Sequence, residues 1–177
     1  MAELTHLDER GLPRMVDVSD KADTQREGTA EAVLWIGSAM MAAVKDGRTP
    51  KGNIFETARI TGVMGAKRTS ELIPLCHPLP LSHVSVDFEV LDEHIIIRST
   101  AKTRGATGVE MEALTAATVA GLTLYDMLKA LSKTMQLDGV RLLSKSGGRS
   151  GHFRAQRRAI LHTAETQPEP VTKGDPA

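Results

Sequence analysis

The chain has 177 residues, the length of one ordinary domain, and its 41% apolar and 25% charged content suits a folded globular protein and excludes a disordered one. Lysine plus arginine number 22 and aspartate plus glutamate number 22, so no net field draws the chain to nucleic acid or an anionic membrane, and any anion site must be local. Aromatic residues at 3% leave few ring faces for stacking unpaired bases, and one cysteine, Cys76, rules out an internal disulfide and points to a reducing compartment.

Residues 1–15 are polar, contain Gly11 and Pro13, and are expected to be loosely held. MAELTHLDERG lacks the apolar stretch of a signal peptide, and no run is long enough to span a bilayer, so a cytoplasmic location is expected. A single domain is expected over residues 16–154, followed by a variable, disordered tail over 155–177.

Thr29 to Gly37 is short, apolar and contains Val33, Trp35 and Ile36, which predicts a strand. Ser38 then caps a short helix, AMMAAVK, stopped by Gly47. Asn53 caps a second helix predicted to run to Leu72; Gly62 and Gly65 on it permit close approach by another backbone. Pro74, Pro78 and Pro80 make IPLCHPLPL an ordered loop. His83 to Val90 alternates, with Val84, Val86, Phe88 and Val90 on one face, and pairs through LDEH with the β-branched run IIIRSTAKT as a hairpin. A long helix follows from about Val109 to about Met135, and Gly139 releases a last strand, VRLLSKS. The order β-α-α-β-β-α-β fits a split βαβ pattern and predicts an α+β domain, an antiparallel sheet with its helices on one face.

On the long helix, advancing about 100° per residue places Thr118, Gly121, Tyr125 and Leu128 within about 40° of Leu114, the predicted core stripe. Glu112, Asp126 and Lys129 leave that stripe. Fourteen residues separate Glu112 from Asp126, about 21 Å along the axis, too far for one small substrate. If both ends carry function there are either two sites or an isologous two-fold contact that sets one end beside a partner's other end. Asp126 and Lys129, at i and i+3, also read simply as a surface ion pair.

Lys51 precedes the Asn53 cap, where free amides attract anions, and Lys67 and Arg68 follow one helix later; together they either neutralise a phosphate or are solvated surface charges. In LCHP, Cys76 and His77 share a proline-bounded loop, but no second cysteine or spaced histidine set completes a metal site, so no metal is expected. His77 suits proton transfer or hydrogen bonding in a pocket. KSGGRSG lacks the spacing of a nucleoside-triphosphate loop and reads either as an anion-cradling turn or as a flexible strand end.

Taken together, MVDVSDKADTQREGTAEA, KGNIFETARITGVMGAKRTSELIPLCHPL, KTRGATGVEMEALTAATVAGLTLYDMLKA and VRLLSKSGGRSG closely resemble the molybdenum cofactor biosynthesis protein C family, the bacterial cyclic pyranopterin monophosphate synthases. The resemblance runs from about Leu4 to Phe153. It implies a ferredoxin-like subunit in a homohexamer, a trimer of dimers with sites between the chains of each dimer. It implies a phosphorus–oxygen lyase that rearranges 3′,8-cyclised dihydro-GTP to cyclic pyranopterin monophosphate with loss of diphosphate. By the same resemblance Asp126 of LYDMLK, Lys129 and Lys51 are catalytic, and Leu75, Cys76, His77, Glu110, Met111, Glu112 and Lys67 bind substrate. No protein-bound cofactor is implied, though Mg²⁺ on the substrate's phosphates can assist without a dedicated motif.

That chemistry calls for an acid and a base of near-neutral pKa, which Asp126 beside Lys129 is expected to supply, and for cations that absorb the departing diphosphate. Lys51, Lys67, Arg26, Arg68, Lys145 and Arg149 are the candidates. The competing reading is a non-catalytic nucleotide sensor on the same scaffold, since fold alone does not choose between them. An RNA binder ranks last on charge and aromatic content.

Overall fold

The computed structural model describes residues 6–149 and 151–156. It contains, in chain order, β1 (Thr24–Trp35), α1 (Ser38–Lys45), α2 (Ile54–Lys67), α3 (Thr69–Leu72), β2 (Leu81–Val90), β3 (His94–Gly105), α4 (Glu110–Leu128), β4 (Gln136–Ser146) and the short β5 (Phe153–Arg154). Every strand pairing is antiparallel and the five-stranded sheet has the order β2-β3-β1-β4-β5. β1 and β2 flank β3 and are joined by the helical crossover, which is the split βαβ arrangement of a ferredoxin-like α+β fold.

Alternation along the strands decides which face receives the helices. Ala30, Ala32 and Leu34 of β1, Ile95, Ile97 and Ala101 of β3 and Val86 of β2 turn into the core, where α4 covers β1, β3 and β4 and α2 covers β2. On the opposite, helix-free face Glu31 is buried, its carboxylate held by Arg98 at 3.3 Å and Arg141 at 3.2 Å. On the helix side, Ser99 Oγ donates to the Ala113 carbonyl of α4 at 2.6 Å, tying helix to sheet.

The seam between α2 and α4 fixes how the ends of the two helices stand to one another. A Cβ on Gly62 would lie 2.9 Å from the Ala116 carbonyl and from a Val86 methyl, and one on Gly65 would lie 2.9 Å from a Val119 methyl, so both glycines are needed for this approach. The hydroxyls of Thr61 and Thr123 meet at 2.7 Å across the same seam. Since Thr61 faces Thr123 while Gly65 faces Val119, the helices run antiparallel, and the start of α2 lies by the end of α4. Arg59, on the outer side of α2, reaches over the edge strand β2: it donates to the Val86 carbonyl, pairs with Asp87 at 3.3 Å and sits 5.5 Å from the Phe88 ring centre.

Several element boundaries differ from the sequence expectation. β1 begins at Thr24, five residues early, the added polar residues being held by pairing to β3 from Thr24 and to β4 from Glu27. Gly37, not Ser38, is the N-cap of α1, and Ser38 makes no capping bond. The run from Asn53 breaks at Arg68 into α2 and α3, while Asn53 caps α2 as expected, accepting the Glu56 amide at 3.2 Å. α4 stops at Leu128, well before Met135; Leu131 closes a turn onto the Leu128 carbonyl at 2.8 Å. Gly139 lies inside β4 at a bulge rather than ahead of it.

The buried face of α4 also corrects the predicted stripe. It consists of Ala113, Ala116, Ala117, Ala120, Gly121, Leu124, Met127 and Leu128, whereas Leu114, Thr118 and Tyr125 are only half-buried, a rotation of about 90° on the helical wheel. The turn brings Glu112 under cover and leaves Asp126 outside. In the leading segment, the Asp8 carboxylate accepts the Arg10 and Leu12 amides at 2.9 and 2.8 Å, and Leu7 bridges to Pro13. The expected tail lies, from residue 157 onward, outside the described residues. No helix among the described residues is long and apolar enough to cross a membrane.

Candidate active site

The antiparallel α2–α4 pair carries a cluster of chemistry-bearing side chains at each end. At the C-terminal end of α4, Asp126 is clasped by two ammonium groups: Lys129 Nζ lies 2.6 Å from Oδ1 and Lys51 Nζ lies 2.7 Å from Oδ2. Lys51 also donates to the Asp126 main-chain carbonyl at 3.0 Å, meeting one of the carbonyls left open where a helix ends. Lys51 is delivered by the loop just ahead of the Asn53 cap, and Lys129 by the first residue beyond α4. The hydrogen bonds from Lys129 and Lys51 hold the Asp126 carboxyl down to about 2, and the same pairing raises Lys129. All three side chains are about half exposed. Mutual pairing thus moves the two groups away from neutrality, the carboxyl down and the ammonium up, rather than toward the near-neutral pair the sequence reading expects.

The other end of the pair is a cavity of about 250 Å³ at the N-terminus of α4. Leu75, Cys76 and His77 reach it from the proline-bounded loop, and Glu110, Met111 and Glu112 from the first turn of the helix. The loop is pinned on both sides. Thr103 Oγ1 donates to the Pro80 carbonyl at 2.8 Å, and His77 Nε2 sits 2.8 Å from the Val16 carbonyl in the segment that leads into β1. Glu112 is only 4% exposed. Burial, reinforced by the neighbouring Glu110 charge and opposed by a main-chain hydrogen bond, pushes its carboxyl up to about 7. Burial also raises the Cys76 thiol, with the Glu112 charge adding to it, so Cys76 is a poor nucleophile in this setting.

Next to this cavity, and sharing Lys21, Thr107, Gly108 and Glu110 with it, is a second hollow of about 380 Å³ lined also by Arg26, Lys145 and Arg149. The two together offer a partly apolar recess opening onto a cationic one, a shape suited to a ring system with a phosphate chain. Glu110 stands at the junction, paired with Lys145 at 3.0 Å. Lys67 is apart from both: it lines a separate hollow of about 330 Å³ with His83, Ser82 and Val63. Arg68 lines none of these hollows.

Within one chain, then, the structure gathers Lys51, Asp126 and Lys129 in one place and Leu75, Cys76, His77, Glu110, Met111 and Glu112 in another, about a helix length apart. Sequence reasoning did not anticipate His6, Val16, Val18, Lys21, Thr107 and Gly108 as lining residues. They lie in loops, and although all but His6 fall within the segments that carry the family resemblance, none has a spacing that marks it as a lining residue. Among the described residues no group of three His, Cys, Asp or Glu side chains gathers to hold a metal ion.

The sequence profile of the MoaC family matches residues 15–148, which embraces both clusters and the cationic hollow apart from Arg149. The chain belongs to the MoaC family. It is 52% identical over 157 residues to a protein of Chloroflexus aurantiacus named cyclic pyranopterin monophosphate synthase, with 88% of this chain and 96% of that protein covered. A Nostoc protein of the same name is 53% identical over 155 residues, covering 86% of this chain and 92% of that one. In this MoaC-family chain, as in any protein, the fold supplies only the frame, and a reaction has to be argued from the side chains it gathers.

Proposed function

We infer that this chain is a cyclic pyranopterin monophosphate synthase, a lyase of molybdenum cofactor biosynthesis that converts 3′,8-cyclised dihydro-GTP to the cyclic pterin phosphate and diphosphate. Membership of the MoaC family and two relatives of that name at over half identity support the reaction. The single observation that supports a site for it is the apolar recess beside Glu112 opening onto a hollow lined by Lys21, Arg26, Lys145 and Arg149.

In this reading the purine-derived rings lie in the recess with Leu75, Cys76, His77, Met111 and Glu112. The triphosphate runs toward the cationic hollow, with Mg²⁺ travelling on the phosphates rather than on a protein motif. Ring opening and reclosure need protons moved at near-neutral pH, and Glu112, raised to about 7, is the carboxyl suited to exchange one. As the ribose hydroxyl attacks the α-phosphorus and diphosphate departs, the Lys21 and Lys145 ammonium groups and the Arg149 guanidinium take up the charge.

The lysine-clasped Asp126 completes the site from a partner subunit. Its distance from Glu112 along one helix supports a two-fold dimer site, and so do the outward apolar side chains of the same helices, Ile60, Met64 and Leu122, which are 61%, 44% and 55% exposed. In that place Asp126 fixes Lys129 and Lys51 as cations against the substrate, and Lys67 joins from the far end of α2. The dimers assemble further into a hexamer, and the enzyme works in the cytoplasm, where its one thiol stays reduced.

Incubation of the purified chain with cyclised dihydro-GTP tests the reaction: stoichiometric diphosphate release supports it, and binding without turnover supports a nucleotide sensor instead. Mixing Asp126→Asn chains with Glu112→Gln chains tests the shared site. Random pairing of two dead variants restores about a quarter of wild-type activity if each site draws on two chains, and none if each chain is self-sufficient.

A further inference from the structure

Arg26 is one of the four cations around the second hollow, yet its guanidinium is already engaged. Nε donates to the Gly105 carbonyl at 2.8 Å and Nη2 donates to the Ala106 carbonyl at 2.8 Å. Those carbonyls stand where β3 gives way to the turn leading into α4, the turn that supplies Thr107 and Gly108 to both cavities and ends at Glu110. The Glu110 carboxylate lies so close over Gly108 that a Cβ there would overlap it. On the other side of the guanidinium runs the segment just beyond β4. A Cβ on Gly148 would overlap Arg26 Nη1, and one on Gly147 would overlap the Gln25 carbonyl; both glycines have positive φ, 74° and 90°. Gly147 and Gly148 of the KSGGRSG motif are thereby explained as a side-chain-free track that lets the chain leaving β4 pass over Arg26.

We propose that Arg26 is a positioning residue: its planar fork fastens the Gly105–Gly108 turn to β1 beneath the Gly147–Gly148 track, and so sets the wall shared by the ring recess and the cationic hollow. It acts on the reaction through that wall and through Glu110, not as a phosphate ligand. A fork that makes two parallel bonds is what the role demands, and lysine, a point charge on a flexible stem, keeps the charge without the geometry. For its kinetic consequence the proposal rests on the synthase reading above; its structural part does not.

The test compares wild type with Arg26→Lys, Arg26→Gln and Gly148→Ala, the last of which displaces the guanidinium while leaving it charged. Hydrogen exchange of the ligand-free protein across residues 106–110 is expected to quicken about ten-fold in all three, the loss of roughly one hydrogen bond's worth of protection, with the core strands unchanged. In turnover assays kcat falls about ten-fold in Arg26→Lys, while inhibition by free diphosphate shifts less than about two-fold. Arg26→Lys combined with Gly148→Ala is no worse than the more severe single variant, because both loosen one clamp. Unchanged exchange at 106–110 in the Arg26 variants overturns the proposal. So does a diphosphate inhibition constant weakened as much as kcat in Arg26→Lys, which marks a direct phosphate ligand. Failure of the wild type to release diphosphate removes the synthase reading alone, and the exchange experiment still decides the clamp.

Discussion

The two ends of α4 each present a carboxylate, and their surroundings send them opposite ways. Asp126 at the C-terminal end is half exposed and held by two lysines, so it titrates near 2 and is an anion at every working pH. Glu112 at the N-terminal end sits 4% exposed, and burial outweighs the main-chain hydrogen bond that opposes it, so its carboxyl is pushed up to about 7 and carries a proton for part of the time. The same functional group thus becomes a fixed charge in one place and an exchangeable acid in the other. Solvent and partners decide the role.

That contrast can be attacked from either end. The largest effect is expected from Asp126→Asn: diphosphate release falls about a thousand-fold with the fold intact by circular dichroism, because Lys51 and Lys129 lose the anion that aligns them. Next is Glu112→Gln, with about a hundred-fold loss in rate and a changed pH profile. If the protonated Glu112 is the working form, wild-type activity declines as pH rises through about 7. Glu112→Gln lacks that limb and Asp126→Asn keeps it. A limb near 7 that survives Glu112→Gln would break the comparison.

Stability follows the same group with a definite sign. Because Glu112 binds its proton more tightly folded than unfolded, wild-type stability falls as pH climbs from about 4.5 to about 7, by up to about 3 kcal/mol. Urea denaturation of Glu112→Gln across that range is expected to show a flatter dependence and a more stable protein at alkaline pH. Gly62→Ala, in the seam that keeps the two ends apart, costs about 1–3 kcal/mol by the same measurement, since the new methyl meets the Ala116 carbonyl and Val86. Smallest is Lys51→Met: the urea midpoint is expected to move little for so exposed a pair, while the Asp126 resonance in NMR titration moves up toward its ordinary value.

The sheet was legible from the sequence wherever one face is buried and the other wet. Val84, Val86, Phe88 and Val90 alternate because β2 is an edge strand with a single covered side, and the pairing of β2 with β3 followed from it. The face of α4 was misjudged for a physical reason: close packing against α2 and the sheet demands alanine and glycine, which carry little hydrophobic signal, so Leu114 and Tyr125 drew the stripe away from them. The membership of each cluster was legible as motifs. The pairing of Lys51 with Asp126 was not, because it joins residues far apart in sequence through the antiparallel setting of two helices. Likewise Val16 and Val18 entered the recess through one hydrogen bond from His77, a contact with no sequence period behind it.

Arg59 has a bearing beyond its own contacts. By fastening itself to the Val86 carbonyl and to Asp87, it occupies the outer border of β2 with a charged, bulky cap. A border so blocked resists recruiting a foreign strand, which guards a concentrated solution of this chain against fibre growth from that side.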